Sequence, residues 1–87
     1  MDKLVQVWRK NGEETWVLIH VEVQGQPEVG FPKRMYTYNY RIFDRYDRPV
    51  VSLAILSDDQ PNWHPKQFSY ALWGSEVSLK FGTAKLL

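Results

Sequence analysis

Val17-Leu18-Ile19-His20-Val21-Glu22-Val23-Gln24 interleaves two rows of side chains. Val17, Ile19, Val21 and Val23 occupy every second position, with Leu18, His20, Glu22 and Gln24 between them. Side chains alternate across a strand with period two, so the stretch reads as a strand buried on one face. The other row starts with Trp16 and Leu18 and ends on a carboxylate and an amide. What it faces decides both fold and function.

Working outward, Lys3 to Arg9 alternates in the same way, and Thr15 to Val23 forms its partner across KNGEE. Asn-Gly commonly makes a two-residue hairpin turn. That turn would set Val5 opposite Leu18 and put the two valine rows on opposite faces, which register disfavours. A three-residue loop, Lys10-Asn11-Gly12, pairs Val5 with Val17 and Lys3 with Ile19, with Gly12 left-handed. Asn11-Gly12-Glu13 keeps the same faces. Either loop sets Asp2 in the row of His20, Glu22 and Gln24. Cross-strand neighbours lie roughly 4.5–8 Å apart, so two carboxylates converge at one end of the hairpin.

GQPEVGFP breaks the strand, and FPKRMYTYNYRIFDRYD shows helical spacing. Met35, Tyr38, Ile42 and Phe43 or Tyr46 form the apolar stripe, and Pro32 suits the first turn. Val50 to Leu56 reads as a central strand buried on both faces. A right-handed crossover makes it parallel to Thr15–Val23. Phe68–Trp73 and Glu76–Phe81 form a second hairpin about Gly74-Ser75, pairing Leu72 with Val77, Tyr70 with Leu79 and Phe68 with Phe81. The class is α/β (α+β): a mixed sheet with a hairpin, one crossover helix, a parallel strand and a C-terminal hairpin.

Eighty-seven residues make one domain, 1–87. A net charge of +1 gives no strong overall field toward nucleic acid. The absence of Cys excludes disulfides and thiolate metal sites, and fits a cytoplasmic location. No apolar run is long enough to cross a membrane.

Asp2, Glu22 and a backbone carbonyl make a hard oxygen set suited to Mg²⁺ or Mn²⁺, with Gln24 and His20 close by. The ordinary alternative is a solvated strand face beside a frayed terminus, because Glu-x-Gln is a common string. His20 and His64 have no third nitrogen or sulfur partner, which argues against zinc, and His64 reads as a structural loop residue. The basic helix, with Lys33, Arg34, Arg41, Arg45 and Arg48, suits either phosphate contact or plain solvation. No Ser/His/Asp arrangement is visible.

The order DKLVQV, WVLIHVEVQ, KRMYTYNYRIFDRY, PVVSLAIL resembles the PD-(D/E)XK nuclease superfamily, in its recombination-promoting nuclease/putative transposase branch common in cyanobacterial genomes. The resemblance runs from Asp2 to about Phe81 and implies an incomplete restriction-endonuclease-like core. It implies catalytic Asp2, Glu22 and Gln24, with Mg²⁺ (or Mn²⁺) held weakly by Asp2, Glu22 and the Val23 carbonyl. Arg34 and Tyr38, one helical turn apart, would support the site or bind phosphate, and DNA would be the substrate. The family's N-terminal helix and first core strand have no counterpart before Asp2. A truncated endonuclease with little or no activity alone is therefore the expectation, and a non-catalytic, self-associating protein is the alternative. Leu4, Trp8, Trp16 and Leu18 lack an evident cover, so a homodimer is expected, with Trp8 and Trp16 at or near its interface or with an exposed edge strand pairing across it.

Overall fold

The computed structural model describes residues 2–8, 12 and 14–86, with side chains at 12 and 16–86. Strands β1 (Asp2–Trp8) and β2 (Glu14–Gln24) are followed by helix α1 (Phe31–Tyr46) and strand β3 (Val50–Leu56). Strands β4 (Gln67–Leu72), β5 (Ser75–Lys80) and β6 (Gly82–Lys85) complete the chain. One mixed sheet has the order β1-β2-β3-β6, and β4-β5 forms a separate hairpin. The protein is thus mixed α and β.

Val5 pairs with Val17, Lys3 with Ile19 and Asp2 with His20. This register follows from keeping the valine rows on one face, and Gly12 holds φ 84, the left-handed turn conformation. The other loop positions, Lys10 and Asn11, lie outside the described residues. Strand β3 runs parallel to β2, with His20 beside Ser52 and Glu22 beside Ala54.

Helix α1 decides which face is inside. It lies over the even-numbered row of β2 and β3. Leu18 (3% exposed) and His20 (1%) are buried there, as are Gln24, Ser52, Ala54 and Leu56. The expectation that Leu18 lacks a cover is therefore overturned. Trp16, beyond the helix, stays 46% exposed. Phe31 and Met35 supply the helix's fully buried side chains and pack with Ala54, Leu56 and Phe81. The stripe expected farther along is largely outside: Phe43 and Tyr46 are exposed, because the last helical turns run past the sheet. Asn39 takes the inner position instead, donating to the Val50 carbonyl and to Ser52.

Pro32 sits in the first helical turn, where its missing N–H costs nothing. At the other end Asp47 adopts the left-handed conformation (φ 53) and donates its N–H to the Phe43 carbonyl, closing the helix without glycine.

Strand β3 is central but buried on one face only. Val51 is 44% exposed and Leu53 37%, so the continuous apolar run reflects a sheet whose second face is open.

The second hairpin corrects the sequence reading. Its turn is Trp73-Gly74, with φ 48 and φ 85, and it pairs Tyr70 with Val77 and Phe68 with Leu79. Positive φ at both central residues marks the primed turn whose twist suits a hairpin. The shift of two positions keeps the expected faces but releases Phe81 from the ladder. Phe81 enters the core at 7% exposure, edge-on to Phe31 at 6.3 Å. Gly82–Lys85 then adds to β3 as a parallel strand, which the sequence pattern does not signal. A Cβ at Gly82 would stand 2.9 Å from Leu53 Cδ2, so a larger residue there would displace the end of the Leu53 side chain. The hairpin itself leans on the outer side of α1, where Tyr36 stacks on Phe68 at 5.0 Å.

Lys85 pins the loop between β3 and β4. Its Nζ donates to both Asp58 carboxylate oxygens, at 2.6 and 2.7 Å, and to the Trp63 carbonyl at 2.7 Å. Burial pushes the Asp58 carboxyl up, but the Lys85 hydrogen bonds and the Gln60 N–H outweigh it and hold the group below its ordinary value. A depressed carboxyl stabilises the fold above the ordinary carboxylate range, and that stability is lost as pH falls through the folded value. Wild-type melting temperature should therefore drop as pH falls below about 4. Asp58→Asn should melt lower at neutral pH and show a shallower acid limb. Parallel curves would remove this pair from the acid response.

Trp73 is 96% exposed and holds a conformation that costs a non-glycine residue roughly 1 kcal/mol. Trp73→Asn should raise the urea midpoint at unchanged slope, by about 0.5–1 kcal/mol of stability. A lower midpoint would mean that the indole makes a stabilising contact.

Candidate functional site

The polar row of β2 meets α1 in two connected clusters. In the first, His20 lies between Ser52 and Glu22: Nδ1 is 3.1 Å from Ser52 Oγ, and Nε2 is 3.2 Å from Glu22 Oε1. Asn39 donates to the same Ser52 oxygen at 3.0 Å. For a neutral imidazole, one arrangement satisfies every group. Asn39 donates to Ser52, Ser52 donates to Nδ1, and Nε2–H donates to the Glu22 carboxylate. Tyr38 closes the top, edge-on to the imidazole at 5.5 Å.

The second cluster continues along the row. Gln24 Oε1 accepts from Arg34 Nη2 at 2.6 Å, while Gln24 Nε2 donates to the Gln26 carbonyl and to Glu28. Arg34 Nη1 also donates to Glu28 Oε1 at 3.1 Å. Each end of the Gln24 amide is thereby committed, and a glutamine 9% exposed is fixed in one orientation. Burying these polar groups is tolerable because they are paired; unpaired, each would cost roughly 1–3 kcal/mol.

Four of the expected site residues thus come together. Glu22, Gln24, Arg34 and Tyr38 border one strip between β2 and α1, joined through His20 and Glu28. The solvated-face alternative does not describe this row, since the Glu22 side chain is only 19% exposed. For Asp2 the β1–β2 ladder fixes a position opposite His20, two residues along from Glu22. The carbonyl donor expected at Val23 lies on the same strand. Among the described residues, no group of three or more His, Cys, Asp or Glu is placed to hold a metal ion.

Ser52, Asn39 and Glu28 belong to the site and were not expected there. Ser52 carried a signal: it is the one polar residue inside VVSLAIL. Asn39 sits one helical turn from Met35 and Phe43 and offered a similar cue. Serine, histidine and glutamate in series suggest nucleophilic catalysis, but Ser52 is 4% exposed beneath α1. No substrate can reach its hydroxyl, so the series is structural.

Two basic hollows lie outside the clusters. One of about 240 Å³ runs along α1 between Lys33, Arg34, Thr37, Tyr38 and Arg41. The other, about 560 Å³, lies at the base of the second hairpin between His64, Lys66, Lys80 and the Phe81 ring. His64 lies in the loop before β4, as expected, and is exposed there. No helix among the described residues is long and apolar enough to cross a membrane.

Comparison with protein-family models, with curated proteins and with solved structures returns no match.

Ser52→Ala removes the oxygen that both Asn39 and His20 use. It should lower stability by about 1–3 kcal/mol, the cost of orphaning buried polar groups, measured by urea denaturation. A change of no more than about 0.3 kcal/mol would mean that the cluster is replaced by solvent at no cost.

Proposed function

We propose that this chain is the sheet-and-helix core of a divalent-metal-dependent DNA endonuclease of PD-(D/E)XK type, with little or no activity alone. The observation that carries this reading is the β1–β2 register, which sets Asp2 opposite His20 and so two positions from Glu22 along one row. Diagonal neighbours of this kind lie roughly 7–8 Å apart, a spacing from which two carboxylates can reach one ion. Asp2 and Glu22, with the Val23 carbonyl, are a hard oxygen set that suits Mg²⁺ or Mn²⁺. Such an ion, when bound, supplies charge to offset a phosphoryl transition state and lowers the pKa of bound water.

This chain's own residues orient and neutralise. His20, held by Ser52, fixes the Glu22 carboxylate through Nε2–H. Arg34 holds Gln24 in place beside it and borders the basic hollow on α1, where a backbone phosphate would lie against Lys33, Arg34 and Arg41. Tyr38 shields the imidazole from solvent on the same side. Weak metal affinity follows from a set of only two carboxylates.

The test is a titration with Mg²⁺ or Mn²⁺ followed by amide shifts. Millimolar metal should move Asp2, Glu22 and Val23 selectively, and Glu22→Ala should abolish the effect. Nicking of supercoiled plasmid by the isolated chain should be slight, Mn²⁺-dependent and lost in the same variant. Shifts that persist in Glu22→Ala, or none in wild type at saturating metal, would remove these residues from the site.

A further inference from the structure

The sheet face turned away from α1 is aliphatic and open. Val17, Ile19 and Val21 are half-buried, Val23 is 64% exposed, and Val51 and Leu53 continue the surface on β3. Gly82 and Ala84 of β6 lie beside Leu53 and Ile55 and lower the surface there. No described side chain on this face carries a charge, and Lys3 stands at its margin on β1 by register.

We propose that this face is the seat of a second copy of the chain, the two sheets packing face to face about a twofold axis. Two features of the face argue for a copy rather than a different partner. The first is self-complementarity. Val23 projects at one end of β2, while a hollow of about 360 Å³ opens between Val21, Leu53, Ile55, Gly82 and Ala84. A twofold axis places the projection of each copy against the hollow of the other, and such closed pairing is the commonest assembly. The absence of charge at the centre leaves nothing to select a heterologous surface.

The second is area. Three strands paired over seven residues and β6 over four, about 4.8 Å apart at about 3.3 Å per residue, present roughly 400 Å² in projection. A patch of that size on a monomer usually marks a contact site. Pairing two would bury at least about 800 Å², and the relief of the side chains brings the total toward the roughly 1,200 Å² at the lower end of stable interfaces. Sheets so paired lie roughly 10 Å apart, the spacing at which aliphatic side chains of the two layers interdigitate. The need is internal as well. Among the described residues the buried apolar set is Leu18, Phe31, Met35, Ala54, Leu56 and Phe81, all on the helix side.

The interface differs from the one expected at Trp8 and Trp16, and it rests on burial alone, independently of the metal site. Light scattering or sedimentation of the full chain across micromolar concentrations should give twice 10.3 kDa. Val51→Glu, at an exposed position on β3 that tolerates a charge in the monomer, should give monomer with unchanged circular dichroism. Ala84→Leu fills the hollow and should weaken association at least tenfold. Trp16→Ser, on the opposite row, should leave the dimer intact. A wild-type monomer at every concentration would overturn the proposal. So would a dimer that survives both open-face variants, or one lost in Trp16→Ser instead. Metal-induced shifts measured in monomeric Val51→Glu separate the two proposals, since that substitution leaves Asp2, Glu22 and Val23 unchanged.

Discussion

The structure depends on the seating of one imidazole. His20 is 1% exposed, and a buried ring with two polar nitrogens is tolerated only if both are paired. Ser52 on β3 and Glu22 on β2 supply those partners, and Asn39 on α1 ties the same serine to the helix. These groups come from three elements, so the pairing fixes the parallel register of β2 with β3 and the position of α1 above them. A one-residue slip of β3 would send Ser52 to the other face and leave His20 unsatisfied.

From that seat follows the division of the sheet. The even row, polar as it looks, is the inside, and the valine row is outside. Leu18, Ala54 and Leu56 share the inner face with His20 and Gln24, while Phe31, Met35 and Phe81 fill the space beneath the helix. The same division aligns the candidate site. Glu22 and Gln24 are held at the edge of the helix by His20 and Arg34, and so they are oriented side chains at the margin of a core. It also leaves an aliphatic face with no cover among the described residues, the cause of the proposed pairing of copies.

Much of this was legible in the sequence. The parity of Val5 against Val17 carried enough information to choose the hairpin register, because a slip reverses every side chain. The glycines and prolines between Gly25 and Pro32 marked where β2 ends and α1 begins. The crossover rule then oriented β3. What was not legible has a physical cause in each case. Hydrophobicity alone makes Val17–Val23 look like the buried row, and only tertiary partners for His20 and Gln24 reverse that. Ser52 and Asn39 are ordinary residues until a histidine arrives opposite them. The choice between Trp73-Gly74 and Gly74-Ser75 depends on where Phe81 is needed, a demand set by Phe31 more than thirty residues away. β6 is four residues long and reads as a strand only beside Leu53. Of the site, Glu22, Gln24, Arg34 and Tyr38 were visible as a pattern; the residues that hold them were not.

The central claim is that the polar row of β2, and not its valine row, lies beneath α1. Nuclear Overhauser contacts within the folded chain test it most directly, in monomer or dimer alike. The expected result is contact from the His20 ring protons to the Tyr38 ring and to the Asn39 side-chain amide, with none from the methyls of Ile19 or Val21 to any residue of α1. Methyl contacts from Val21 to Met35 or Tyr38, with His20 showing none to the helix, would contradict it.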